Sequence, residues 1–117
     1  MEAISKLLRE IDPPLTGHDV FYDLGAGRGI VPALATLEFF VKRSVGVELS
    51  KTRVEIGCEG LQVLRGYLSR SMQGIPHRHL ELVHGSMLDI KMDDATVVYM
   101  CATVIRSRRA LKGPIFC

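Results

Sequence analysis

Val20-Phe21-Tyr22-Asp23-Leu24-Gly25-Ala26-Gly27-Arg28-Gly29 decides how the rest of the chain reads, and Ser44-Val45-Gly46-Val47-Glu48-Leu49-Ser50 answers it downstream. An apolar strand runs into glycines at alternate positions, and a second apolar strand ends on a carboxylate. Glycine at such a turn lets the backbone pass within contact distance of a ligand, where a Cβ would collide. A carboxylate closing the next strand is where ribose-bearing ligands are gripped by their hydroxyls. The spacing is not that of a dinucleotide site, whose pattern is G-x-G-x-x-G. Here the third glycine comes one residue early, and Asp23 stands two residues before the first.

Composition sets the outer bounds. The chain has 117 residues, 47% of them hydrophobic and 24% charged, which describes one globular domain rather than a disordered segment. A net charge of +2 is too small to imply nucleic acid by itself. Cys58, Cys101 and Cys117 are odd in number and sit in or near apolar segments, so a reduced, intracellular protein is expected. No apolar run reaches the roughly 18 residues that a bilayer demands, so no membrane role is expected. The N-terminus lacks the basic-then-apolar layout of a signal peptide.

Periodicity supplies the organisation. Ile4, Leu7, Leu8 and Ile11 fall on one helical face, and Pro13-Pro14 stops that helix. A first strand covers Asp19 to Leu24. Ile30 to Val41 reads as a crossover helix, with Pro32 tolerated in its first turn. Val45 to Leu49 is the second strand. Ser50 then caps a long helix striped by Val54, Cys58, Leu61, Leu64 and Leu68, which Gly57, Gly60 and Gly66 each weaken by up to ~1 kcal/mol. Arg70 to Arg78 is a loop, Leu80 to Val83 a third strand and Thr96 to Cys101 a fourth. Ile115-Phe116-Cys117 would begin a fifth. This order predicts an α/β fold, a parallel sheet with flanking helices, and a ligand edge where Asp23 to Gly29, Glu48-Leu49 and Gly85-Ser86-Met87 converge.

Asp-Leu-Gly-x-Gly-x-Gly is the opening motif of class I S-adenosylmethionine methyltransferases, and the chain resembles that Rossmann-like superfamily. Three runs narrow the resemblance: Asp19 to Gly29, then Val45-Gly46-Val47-Glu48-Leu49-Ser50-Lys51-Thr52-Arg53, then Asp94-Ala95-Thr96-Val97-Val98-Tyr99-Met100-Cys101. Together they are similar to the disruptor-of-telomeric-silencing family, the non-SET histone-lysine methyltransferases. The resemblance extends from the first helix to about Thr103. It implies S-adenosylmethionine as cofactor, a nucleosomal core histone as partner, a lysine as methyl acceptor and a nuclear, chromatin-regulating setting. Without the histone link, a cytoplasmic location is expected.

Carried over residue by residue, the resemblance places Gly25 and Gly27 under the methionine and ribose of the cofactor, with Leu24 and Gly29 completing the turn. Asp23 would help to hold the amino-acid end, directly or through water. Glu48 would accept from both ribose hydroxyls and Leu49 would pack on the adenine. As a strand-end surface charge, Glu48 is expected to matter little to the fold. Where the family carries an acid before a bulky residue, Ser86-Met87 stands, so Met87 can stack while the acid is lost. Cys101 closes the fourth strand where asparagine is frequent in the family, and the resemblance counts it with Leu24, Gly29, Ser86 and Met87 among the expected cofactor-binding residues. The polar loop ahead of the family's first helix has no counterpart, and the chain stops as a fifth strand begins. Residues 1–117 are therefore expected to be a partial methyltransferase domain, truncated near its fifth strand. The outer edge of Thr96 to Cys101 would be left bare, giving a marginally stable chain that associates.

Methyl transfer to a neutral amine is a direct displacement, which asks for positioning and desolvation, and no general base is named by the residues. Other readings stay open: an RNA or small-molecule methyltransferase of the same fold, or a non-catalytic cofactor-binding fragment. A nicotinamide oxidoreductase is disfavoured by the glycine spacing. His77-Arg78-His79 lacks partners at ligand spacing, so no metal site is expected. His84 reads as a strand-end polar group. Arg106, Arg108, Arg109 and Lys112 read as a solvated helix face, with weak DNA contact as the alternative. Met72, Met87, Met92 and Met100 share no stripe.

Overall fold

Two buried strands side by side, each turning into a helix at its carboxyl end, organise the molecule. The computed structural model describes residues 2–71, 79–100 and 103–106. Among them, α1 spans Glu2–Arg9, β1 Val20–Leu24, α2 Ile30–Phe39, β2 Arg43–Glu48, α3 Lys51–Ser71, β3 His79–His84, β4 Val97–Met100 and β5 Thr103–Arg106. The sheet order is β3-β2-β1-β4-β5. β3, β2, β1 and β4 run parallel, with Tyr22 opposite both Val45 and Val98. The chain order reverses between β1 and β4, and in such sheets the crevice at the carboxyl ends beside that reversal is the ligand position.

Residues in register on parallel strands share a face, which sorts the core into two layers. On one face Phe21 and Val97 pack with Leu8, Ile11, Leu15, Val31, Leu34 and Ala35, bringing in α1 and α2. Leu82, on that same face, meets α3 at Gly57. On the other face Tyr22, Leu24, Val45, Val47, Val98 and Met100 are covered by Met92 and Ala95, with Met87 and Ile90 alongside. Among the described residues, the helices therefore lie on one face and the segment 85–95 on the other. The methionines that share no stripe in the sequence meet here: Met87, Met92 and Met100 join one cluster. Met72 lies outside the described residues.

Local chemistry fixes the ends of the elements. The Thr96 hydroxyl donates to Asp19 Oδ1 at 2.9 Å and accepts the Val20 N–H at 2.9 Å, tying the start of β4 to that of β1. The Thr16 N–H donates to Asp19 Oδ2 at 2.8 Å. Phe40, at φ 55°, ends α2 in the left-handed region, and its N–H reaches back to Thr36 O and Ala35 O. Ser50 caps α3 as expected, its Oγ accepting the Arg53 N–H.

The fifth strand departs from expectation. Thr103–Arg106 returns antiparallel along β4, Thr103 opposite Met100 and Arg106 opposite Val97. β4 therefore has a neighbour on both sides, and the bare edge expected there does not exist. Arg106 lies in this strand and not on a helix face. Arg108, Arg109, Lys112 and the expected strand at Ile115-Phe116-Cys117 lie outside the described residues. α3 also runs two residues further than expected, taking in Arg70 and Ser71.

Candidate functional site

The turn after β1 is built from glycines that carry backbone angles other residues avoid. Gly25, Gly27 and Gly29 have φ of 86°, 59° and 86°, all left-handed. A Cβ at Gly25 or Gly27 would meet nothing within 4 Å, so these two line an open cradle. The turn is clamped to β2, because the Gly25 and Ala26 N–H groups both donate to Val47 O, at 2.8 and 2.9 Å. Beneath it Gly46 leaves the necessary room: a Cβ there would stand 2.7 Å from that of Ala26 and 2.9 Å from Leu82 Cδ1.

Glu48 closes β2 and joins two parts of this edge. Its Oε1 accepts the Gly27 N–H at 2.8 Å, and its Oε2 accepts the Ser50 N–H at 2.7 Å. The residue is only 6% exposed. The Ser50 amide, then the Gly27 amide, hold its carboxyl below the ordinary glutamate range, against the opposing effect of burial; Arg53 adds a favourable charge. Glu48 is thus no solvated strand-end charge, and the expectation that the fold is indifferent to it is overturned. Each carboxylate oxygen retains further acceptor capacity, since one lone pair of each is engaged.

Asp23, the next-to-last residue of β1, lies on the face that carries the helices and is 2% exposed. Among the described residues its carboxyl makes no hydrogen bond, which is uncommon at such burial. Burial first, and the charge of Glu48 second, push it up to about 7. Tyr99, in register with Asp23 on β4, is tilted against Phe21 at 6.4 Å between ring centroids. Burial and the charge of Asp23 raise its hydroxyl pKa as well.

The rim is mixed. Leu49 is 72% exposed beside the edge, and its carbonyl contacts His84 Nε2 at 3.1 Å. Gly85 donates its N–H to Glu48 O at 3.0 Å, which brings the segment after β3 to the same edge. There the Ser86 Oγ accepts the Leu88 N–H at 3.1 Å. Met87 leans into the core layer opposite the helices and does not stand free at the rim. Asp23, Leu24, the glycine turn, Glu48, Leu49 and Ser86 all attach to the carboxyl ends of β1 to β3. Cys101 lies outside the described residues.

Two groups of residues escaped the sequence reading. Gly57 allows α3 to touch the glycine turn, since a Cβ there would sit 2.6 Å from Arg28 O and 2.5 Å from Leu82 Cδ2. The spacing of Gly57, Gly60 and Gly66 gives no hint of this. The second is a polar lock on the far face. Tyr22 donates its hydroxyl to Asp94 Oδ1 at 2.8 Å, while Arg43 spans Asp94, the Tyr22 hydroxyl and Glu81. The guanidinium also lies 5.8 Å from the Tyr22 ring centroid. The lock fastens segment 85–95 to β1, β2 and β3. Burial, then the bond to Asp94, push the Tyr22 hydroxyl up to about 12. Burial alone would raise Asp94; the bonds from Tyr22 and Arg43 bring it below its ordinary value. No grouping of three or more His, Cys, Asp or Glu able to hold a metal occurs among the described residues.

Comparison with known proteins supplies the lineage. A geranyl diphosphate C-methyltransferase from Streptomyces coelicolor superposes with a TM-score of 0.64 at 22% identity, covering 85% of this chain and 34% of that one. The cyclopropane synthase MmaA2 from Mycobacterium tuberculosis also gives 0.64, at 15% identity, covering 85% of this chain and 30% of its own. At these identities the likeness is one of fold: a Rossmann-like methyltransferase sheet. In sequence, the chain is 30% identical over 99 residues to a protein-lysine N-methyltransferase of Saccharolobus islandicus, across 85% of this chain and 55% of that protein. It is 34% identical over 90 residues to a Caenorhabditis elegans histone-lysine N-methyltransferase specific for H3 lysine-79, across 71% of this chain and 9% of that protein. The chain thus spans about half of the first relative and a small part of the second. Residues 1–106 match the family described as histone methylation protein DOT1, and the chain belongs to that family.

Proposed function

We propose that this chain is the cofactor-binding part of a single S-adenosylmethionine-dependent protein-lysine methyltransferase domain, with a nucleosomal histone as methyl acceptor. One observation carries the reading: a left-handed glycine cradle, open above Gly25 and Gly27, shares a carboxylate with the first turn of α3 at the reversal in strand order. Such a cradle fits a ligand that needs close backbone approach and a hydroxyl acceptor beside it.

The residues divide the work. Gly25 and Gly27 admit the methionine and ribose. Glu48, through its remaining lone pairs, accepts from the ribose hydroxyls. Leu49, exposed beside Glu48, offers apolar surface to the adenine, with Ser86 and the edge of Met87 beyond it. Asp23 answers the amino-acid end from beneath the cradle. When bound, S-adenosylmethionine supplies an activated methyl group for direct displacement by a neutral amine. The protein then contributes orientation and exclusion of water.

Family membership and a protein-lysine methyltransferase as relative support the lysine acceptor. The nematode relative supports a histone, and with it a nuclear, chromatin-regulating role. Any DNA contact would fall to the basic segment that includes Arg108, Arg109 and Lys112.

The test is transfer of a tritiated methyl group by the protein to nucleosomes, free histones, RNA and small metabolites in parallel. Label on a histone lysine is expected. Label on RNA or metabolites alone would overturn the acceptor, and failure to bind S-adenosylmethionine in calorimetric titration would overturn the cofactor.

A further inference from the structure

We propose that Asp23 links cofactor binding to a proton: the free protein carries a proton on this carboxyl and releases it when a cationic ligand occupies the cradle. The inference rests on the reading of the site as one for S-adenosylmethionine and adds to it a dependence on pH.

The argument begins with what surrounds the carboxyl. Asp23 is 2% exposed and no hydrogen bond among the described residues reaches its oxygens. An ionised carboxylate so placed carries a large desolvation penalty unless something pairs with it. Among the described residues, no neighbouring element supplies a cation. On β2 the residue in register is Gly46, and Glu48 contributes a second negative charge. On β4 Tyr99 is a neutral phenol. α2 carries one titratable group, Glu38, which is occupied by Ser5 and Arg9 of α1. The other charged groups of α1, Glu2 and Lys6, have no bond to Asp23. The glycine turn carries Arg28, which is exposed and has no hydrogen bond or ion pair to Asp23. Of the cations in the first turn of α3, Lys51 pairs with Glu55, and Arg53 acts on Glu48.

Among the described residues the site thus has one carboxylate held by two amides and one carboxyl with nothing to hold its charge. S-adenosylmethionine brings two positive groups, an α-ammonium and a sulfonium. Either would favour the ionised form of Asp23, so the O–H bond breaks, the proton passes to the buffer, and the carboxylate faces the cation. Below the pKa of the free carboxyl the proton must first be removed, so affinity falls about tenfold for each unit of pH. Burial and Glu48 bring that pKa to about 7, inside the range where a cell's pH matters.

The experiment titrates S-adenosylmethionine into the chain by calorimetry at pH 6, 7 and 8, in buffers of different ionisation enthalpy. Binding about tenfold weaker at pH 6 than at pH 8 is expected, with close to one proton released per cofactor at pH 6. Asp23→Asn should flatten the profile and abolish the release. S-adenosylhomocysteine, which has the ammonium but a neutral sulfur, separates the two cations: linkage in both ligands assigns the ammonium, and linkage in S-adenosylmethionine alone assigns the sulfonium. Affinity independent of pH without proton release, or an unchanged profile in Asp23→Asn, would overturn the proposal.

A readout without cofactor separates this from the functional reading. Carboxyl-carbon NMR of the free chain should show Asp23 titrating near 7. A midpoint in the ordinary carboxylate range overturns the linkage and leaves the function standing. A midpoint near 7 with no cofactor bound at any pH overturns the function, and the linkage with it.

Discussion

Replacing Glu48 by alanine should unfold more of this protein than its place at a strand end suggests. The side chain accepts two backbone N–H groups at 2.8 and 2.7 Å, one from the glycine turn and one from the start of α3. Hydrogen bonds to a charged partner are worth about 1.5 to 3 kcal/mol each. Gly27 and Ser50 are half-buried, so water can partly replace the lost acceptor, which favours the lower end and about 3 kcal/mol in total. Native domains hold about 5 to 15 kcal/mol altogether, so this is a large share. At about 4 °C per kcal/mol for a chain of this size, the melting temperature should fall by roughly 12 °C. Glu48→Gln, which keeps one acceptor oxygen, should lose roughly half as much, because its amide nitrogen faces a donor. The sign with pH follows from the lowered carboxyl: its stabilisation is present above the unfolded glutamate pKa and disappears as pH falls through the folded value. The gap between wild type and Glu48→Ala should therefore close in acid. Thermal and urea melts of the cofactor-free chain at pH 7 and pH 3.5 measure both effects. A melting temperature within about 2 °C of wild type at pH 7 would refute the clasp, since the shift expected from two charged bonds is several times larger.

Two comparisons probe other parts of the structure. Gly57→Ala sets a Cβ 2.5 Å from Leu82 Cδ2 and 2.6 Å from Arg28 O and should cost about 1 to 3 kcal/mol by overpacking; Gly60→Ala meets nothing and should gain up to about 1 kcal/mol, and equal urea midpoints would contradict the packing. Asp94→Ala breaks a half-exposed lock, so stability should fall by no more than about 1 kcal/mol while hydrogen exchange quickens at the Asp89 and Ala95 amides; unchanged exchange there would show that segment 85–95 is held by its apolar contacts alone.

What could be read from the sequence was what depends on near neighbours. Alternate glycines after an apolar run report a left-handed turn, because few other residues tolerate those angles, and Gly25, Gly27 and Gly29 adopt them. A carboxylate closing the next strand is equally local, and Glu48 stands where expected. Its partners were not legible, since Gly27 and Ser50 meet it only once β1 and β2 lie side by side. Gly57 looked like Gly60 and Gly66 for the same reason: close approach is a property of Leu82 and Arg28, far away in sequence. The lock of Tyr22, Arg43, Glu81 and Asp94 draws on four separate segments. β5 was missed because strand direction is set by the pairing with β4, and no local pattern announces it.

Glu48 and Asp23 would leave opposite traces in the history of this lineage. Both oxygens of Glu48 serve the backbone, so drift at this position is checked by the fold itself. A descendant that no longer bound the cofactor would still be selected to keep the glutamate, and its presence says little about use of the site. Asp23 has the reverse standing. A buried carboxyl without a partner among the described residues weakens the folded state as pH rises from the ordinary aspartate range towards 7, and asparagine or an apolar residue would relieve that cost. Among the described residues no hydrogen bond or ion pair defends it. On the proposed reading of the site, aspartate at this position among sister genes would mark a cofactor site still in use, and its loss is where retirement of that site would first be written.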